Sequence, residues 1–392
     1  MHGGRRRWLC PAEVAAVAGT GIILIVTIVI VGLIGRPDIS ARSSGPGPER
    51  SAPSVELAEN RRSLPRQQPL LIAHRGASGN RAENTIAAFR LAIAMGTDYI
   101  EGDLVVSGDG VLVARHERAL SSTTDIAGHP EFADRRTTKI VSGTPVTDWF
   151  TEDFALAELK TLRATKRHHT DAAVVVGPAA GPPPAEQTIP TIDEMIALAR
   201  RQRSAAHRDI GLYFELKDPA YYASIGLAPE PLLVNALRAA NLAHADAPVF
   251  VESFDPQSLR TVHALTDVPL IQLIGGVGGV DDPATSADTL RNIAGYAAGI
   301  GVERARLRAS SIAEISVNPD LVPPGKRAGP ATPRLDTTLV EAVHREHLEL
   351  HVYTFSASTA NTDVLAKYRA YYAAGVDGVF TDNPDFARAA LP

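Results

Sequence analysis

Between Leu70 and Phe380 the chain alternates short, mainly apolar runs with longer stretches in which apolar residues recur at helical spacing. The short runs suit strands of a parallel sheet buried on both faces, and the longer stretches suit helices that cover it, so the rhythm is that of repeated βα units. It predicts strands over Leu70–Ala73, Tyr99–Val105, Val111–Ala114, Gly211–Leu216, Val249–Val251, Leu270–Ile274, Glu314–Val317, Leu350–Thr354 and Gly378–Phe380. Helices are predicted over Thr85–Met95, Thr191–Arg200, Pro231–Ala240, Pro256–Ala264, Asp336–His347 and Thr362–Ala374. That is one strand too many for eight units. Ser107-Gly108-Asp109-Gly110 is good turn chemistry and too short for a crossover helix, so Val111–Ala114 is expected to pair directly beside the strand before it. The fold class that follows is α/β, a TIM (β/α)8 barrel with an insertion after the third strand.

The insertion, residues 118–188, breaks the rhythm with polar runs, Lys166-Arg167-His168-His169 and the cluster Gly181-Pro182-Pro183-Pro184. A connection of that length in a compact domain is functional or disordered. Its first half is expected to cover a site and its second half to be mobile. Ahead of the barrel, Val14 to Ile34 form 21 residues without a charge, enough at about 1.5 Å per residue to cross a hydrocarbon core of roughly 30 Å. Arg5, Arg6 and Arg7 precede this stretch. By the positive-inside rule residues 1–13 are cytoplasmic, 14–35 are a transmembrane signal anchor, and the remainder is extracytoplasmic. Only Ile39-Ser40-Ala41 approaches a cleavage pattern, which would make the protein secreted instead. Residues 36–68, rich in Pro, Ser, Gly and Arg, read as a flexible linker to a domain over 69–392.

Composition narrows the function classes. A formal net charge of -5 over 392 residues offers no basic stripe for nucleic acid. Cys10 is the single cysteine, so no intrachain disulfide forms.

In a parallel barrel the reactive groups gather where strands end. Four predicted ends carry acids and bases: His74-Arg75-Gly76, Glu101-Gly102-Asp103, His116-Glu117 and Glu215-Leu216-Lys217. Glu101 and Asp103 are two apart on a strand and share a face, the barrel's inside. With Glu215 they make a three-carboxylate cluster whose natural partner is a hard divalent cation such as Ca2+ or Mg2+. Any one of these pieces alone reads as an ion pair or a structural histidine; together at successive strand ends they suit phosphodiester hydrolysis. The cation would polarise a phosphoryl oxygen, Arg75 and Lys217 would neutralise phosphate, and His74 and His116 would divide general acid and general base work.

These residues resemble the glycerophosphodiester phosphodiesterase family, whose pattern of H-R, E-x-D and H is met by His74-Arg75, Glu101-Gly102-Asp103 and His116. The resemblance extends through Ala82-Glu83-Asn84-Thr85, Glu215-Leu216-Lys217, Ser253-Phe254 and Gly375 to Pro384, and covers about residues 70 to 386. It implies His74 and His116 as the catalytic pair, Glu101, Asp103 and Glu215 as metal ligands, and Arg75 with Lys217 as phosphate contacts. The segment after His116, with Thr124-Asp125 and Phe150 to Leu162, is similar to the periplasmic, Ca2+-using branch. Two positions depart from the family: Glu117 follows His116 where Asp is common, and Ala82 stands where Pro usually precedes Glu-Asn-Thr. The first alters whatever contact orients the histidine.

Hydrolysis of glycerophosphodiesters to an alcohol and sn-glycerol 3-phosphate is therefore expected. A phospholipase D-like activity on lysophospholipid or sphingomyelin is the rival on the same fold, favoured by an apolar entrance. A catalytically dead binding barrel is the rival of another class. His168 and His169 are expected to be solvated, and His344, His347 and His351 to be surface residues. Gly275, Gly276, Gly278 and Gly279 are expected to form a flexible loop.

Overall fold

The computed structural model describes residues 68–167, 185–206, 209–276, 282–307 and 335–392. Its strands are β1 (Leu70–Ala73), β2 (Tyr99–Val106), β3 (Leu112–Ala114), β4 (Thr137–Val141), β5 (Thr144–Asp148), β6 (Gly211–Leu216), β7 (Val249–Ser253), β8 (Leu270–Ile274), β9 (Gly299–Glu303), β10 (Glu349–Phe355) and β11 (Gly378–Thr381). Eight of them run parallel in the order β1-β11-β10-β9-β8-β7-β6-β2, and a β1–β2 pairing closes the barrel. β3 pairs antiparallel with β2, Leu104 opposite Ala114, so it is an appendage outside the eight.

Strand residues alternate between two cores. Leu71, Ile100, Leu104, Leu212, Phe214, Val251, Ile300 and Val352 belong to the outer core that also holds helix residues such as Phe89, Met195 and Leu259. Leu70, Ile72, Tyr213, Phe250, Ile271 and Phe380 fill the barrel, with Tyr99 and Tyr353 against them. Continuous apolar runs arise because both faces of each strand are buried.

The sixth barrel strand is the main departure from the sequence reading. Glu314–Val317 lies outside the described residues, and the place between β8 and β10 belongs to β9. β9 reads Gly-Ile-Gly-Val-Glu, and its two glycines dilute the apolar signal. Both are demanded by space: a Cβ at Gly299 would come within 2.5 Å of the Glu349 carbonyl oxygen, and one at Gly301 within 2.5 Å of Leu273. The helix Ala287–Ala294 was likewise not predicted.

The N-terminal anchor and nearly all of the linker lie outside the described residues. Among the described residues no helix is long and apolar enough to cross a membrane. The second half of the insertion, with His168 and His169, also lies outside them. The first half is built of 3-10 turns and the β4–β5 hairpin. It is pinned by Arg118, whose buried guanidinium pairs with Glu152 at 2.8 Å and stacks 3.6 Å from the Tyr221 ring centroid.

Candidate active site

On β2, Glu101 and Asp103 point into the barrel while Gly102 faces out, where a Cβ would meet Met195 Cε at 2.5 Å. Close helix packing thus explains the glycine between two acids. β6 sets Glu215 in register with Asp103. Ligand atoms of Glu101, Asp103 and Glu215 all lie within 4.8 Å of one another, and the three residues are buried. The expected cluster is therefore assembled.

Two cations flank it. Arg75 adopts φ 56, which turns its backbone N–H toward Glu101 Oε2 at 2.5 Å, while its Nε lies 3.2 Å from Asp103 Oδ2. Lys217 Nζ donates to Glu215 Oε1 at 2.8 Å and stands 3.6 Å from Asp103 Oδ1. The Glu83-Asn84-Thr85 motif supports the same corner residue by residue. Glu83 takes Arg75 Nη1 at 3.0 Å, Asn84 Nδ2 donates to Asp103 Oδ2 at 2.8 Å, and Thr85 caps the helix Ile86–Ala94 by accepting from Ala88 N–H.

Burial and mutual repulsion oppose joint ionisation of the three acids. Burial opposes ionisation of Asp103, but Arg75, His116 and Lys217 together outweigh it and hold its carboxyl well below the usual range. Burial, then the Asp103 charge, push Glu101 well above it. Burial raises Glu215 as well, against the pull of Lys217. Asp103 Oδ1, although buried, makes no hydrogen bond. An all-oxygen donor set of this kind, short of positive charge and with an unsatisfied ligand atom, fits a hard divalent cation.

His74, at the end of β1, bonds through Nδ1 to Asp382 Oδ1 at 2.7 Å. His116, beyond β3, bonds through Nδ1 to Glu117 Oε1 at 2.7 Å. A carboxylate only accepts, so in both rings Nδ1 carries the proton and Nε2 is left to exchange one. Burial and then the Arg75 charge push His74 below the ordinary histidine value, against Asp382. The departure Glu117 therefore keeps an orienting contact on His116.

Both histidines, Arg75, Glu101, Glu215 and Lys217 line a cavity of about 180 Å³ at the carboxyl ends of the strands. Its other wall is Phe254, Leu273, Tyr353 and Phe380. No residue between 118 and 167 lines this cavity, while Thr123 and Ala164 line an adjoining one with His116 and Glu83. Sequence reasoning missed Glu252, a fourth buried acid in register with Glu215, whose Oε2 makes no hydrogen bond. It also missed Asp382, although that residue lay inside a quoted motif. His351 is no surface residue: it is buried in β10, 2.9 Å from the Tyr213 hydroxyl. His344 is exposed as expected and bonds to Asp377 at 2.8 Å.

The model of the glycerophosphoryl diester phosphodiesterase family matches residues 74–386, a span that takes in every residue of this cluster. The chain belongs to this family. A glycerophosphodiester phosphodiesterase of Arabidopsis thaliana is 32% identical over 356 residues, 84% of this chain and 88% of the relative. One from Haemophilus influenzae is 27% identical over 337 residues, 81% of this chain and 88% of its own length. Among solved structures, a phosphodiesterase of Oleispira antarctica in complex with the product sn-glycerol-3-phosphate aligns at a TM-score of 0.55 and 21% identity, covering 82% of this chain and 96% of that one. A family protein from Silicibacter pomeroyi aligns at 0.56 and 18% identity, covering 85% and 96%. These likenesses show the barrel. Family membership makes the chain a phosphoric diester hydrolase.

Proposed function

We propose that the chain hydrolyses glycerophosphodiesters to an alcohol and sn-glycerol 3-phosphate with the help of one divalent cation. The observation that carries this reading is the convergence of three buried carboxylates between two histidines, each tied through Nδ1 to an acid. Glu101, Asp103 and Glu215 would hold the cation, Ca2+ in the first instance, which supplies Lewis-acid polarisation of a phosphoryl oxygen. Arg75 and Lys217 meet the phosphate charge, Arg as a planar fork and Lys as a point charge. With Nδ1 held by an acid in both rings, the histidine whose Nε2 is bare takes a proton from the attacking oxygen, while its counterpart enters as imidazolium with Nε2 protonated. The other delivers one to the alcohol oxygen as its bond to phosphorus breaks.

The test is release of glycerol 3-phosphate from glycerophosphocholine with and without chelator, compared with choline release from lysophosphatidylcholine. Chelator-sensitive glycerol 3-phosphate is expected. Choline release alone would favour the phospholipase D-like reading, for which the exposed Phe254 at the cavity mouth is the supporting feature. No turnover on either substrate would favour a binding barrel.

The similarity of the segment after His116 to the periplasmic, Ca2+-using branch belongs to the same proposal, as does an extracytoplasmic location through the Val14–Ile34 anchor. Protease accessibility of the barrel in intact cells tests the latter; protection would sink it.

A further inference from the structure

Lys166-Arg167 stand in a polar stretch of the insertion, and the Arg167 guanidinium lies between two acids of the site's outer layer. Nη1 and Nη2 donate to Glu117 Oε1 and Oε2 at 2.6 and 2.9 Å. Nε donates to Glu83 Oε2 at 2.9 Å, and Nη2 also reaches Glu83 Oε1. One side chain thus makes two bidentate forks, a geometry open to arginine and not to lysine. Each acid then continues inward. Glu117 takes His116 Nδ1 at 2.7 Å, and Glu83 takes Arg75 Nη1 at 3.0 Å.

We propose that Arg167 is a positioning residue of the active site, fixing the His116 ring through Glu117 and the Arg75 guanidinium through Glu83. The inference rests on His116 and Arg75 serving the reaction as set out above. Glu117 is about a third exposed and has three rotatable side-chain bonds, so by itself it would be free to swing into solvent and release His116. Glu83 and Glu117 would also repel at this separation without the cation between them. Arg167 removes both difficulties together.

A purely structural role, pinning the insertion, is served by other contacts. Arg118 pairs with Glu152, Gly108 N–H donates to Phe154 C=O, Thr165 N–H to Thr123 C=O, and Trp149 Nε1 to Phe132 C=O. None of these passes through Arg167. Among the described residues of the insertion, Arg167 is the side chain that bonds to both acids, while the fold of that segment is secured elsewhere.

The test is a double-mutant cycle on the full chain with glycerophosphocholine as substrate, reading kcat, KM and the melting temperature. Arg167→Ala is expected to lower kcat by about tenfold or more, the scale of lost outer-layer contacts. KM should stay within about twofold and the melting temperature nearly unchanged. Arg167→Lys should recover only part of the loss, and Arg167→Ala in a Glu117→Ala background should cost less than in wild type, since the part of its effect that runs through Glu117 to the His116 ring is already lost. Equal losses in both backgrounds, or unchanged kcat in Arg167→Ala, overturn the proposal. Nitrogen NMR of His116 supplies a readout that pinning alone would not move: the Nδ1-protonated form should give way to a tautomer mixture in the variant. If Arg167→Ala fails to fold, Arg167→Met keeps the apolar stem and answers the same question. His116→Ala with full turnover would remove the underlying reading and this inference with it, whereas an inactive His116→Ala beside an unaffected Arg167→Ala removes the inference alone.

Discussion

Asp103 is held from three sides, by Arg75 Nε at 3.2 Å, Asn84 Nδ2 at 2.8 Å and Lys217 Nζ at 3.6 Å. Asp103→Asn keeps the shape but removes the charge, leaving Arg75 and Lys217 facing a neutral amide. Calorimetric titration with Ca2+ should show affinity lost by at least about tenfold, and unchanged affinity would detach Asp103 from the metal site. The two histidines predict a different outcome. His74→Ala and His116→Ala should each lower kcat by about 10² to 10⁴ while the circular dichroism spectrum and Ca2+ binding persist. Reacting groups were legible at this scale because each carries its chemistry in its side chain and sits at a strand end. Their supports were not. Glu83, Asp382 and Arg167 lie 308 positions or fewer from their partners in the chain but have no periodic relation to them, and only folding brings Asp382 to His74.

At the scale of elements, most strands were legible because burial on both faces leaves unbroken apolar runs, as in Leu70–Ala73 and Val249–Val251. β9 was not, because the barrel requires two glycines where the pattern asks for side chains. Gly299→Ala should therefore destabilise the domain by about 1 to 3 kcal/mol, since the obstacle is the Glu349 backbone and cannot rotate away; an unshifted melting temperature would contradict the packing. Arg118, another long-range partner, predicts a larger effect. Arg118→Ala leaves Glu152 buried with Lys139 and Tyr221 still bonded to it, so a loss of about 3 kcal/mol and faster proteolysis within residues 118–167 are expected. The helix Thr338–Arg345 is tied to the residue before β11 by a pH-dependent clasp. The hydrogen bond to Asp377 raises His344 above 6.5, so its stabilisation is complete below the unfolded value and lost as pH rises through the folded one. His344 is 41% exposed, which screens the pair to a few tenths of a kcal/mol. His344→Gln should flatten that part of the stability profile, detectable by denaturant titration at pH 5 and pH 9.

Across the whole barrel the interior changes character along its axis. Tyr99, Tyr213, Phe250, His351 and Phe380 form an aromatic floor with ring centroids 5.0 to 6.4 Å apart, and Glu101, Asp103, Glu215 and Glu252 stand toward the carboxyl ends above it. Burial and then mutual repulsion push Glu252 well above the usual carboxylate range, as burial and the Asp103 charge do Glu101, so ionising the acids on the axis of the cation-free barrel is unfavourable. The floor supplies the apolar burial that tolerates it, and a bound cation would relieve it. Since the cluster exists only in the folded barrel, the proposed Ca2+ would bind the native state in preference and should stabilise it by about 2.7 kcal/mol at 100 times its dissociation constant. Thermal unfolding at increasing Ca2+ should show a rising midpoint that chelator reverses. Glu215→Gln should lose most of that dependence while Lys217 keeps a partner in Asp103. A midpoint that rises equally in wild type and Glu215→Gln would mean that the ion acts elsewhere on the surface, and the carboxylate cluster would then have to be held together by Arg75 and Lys217 alone.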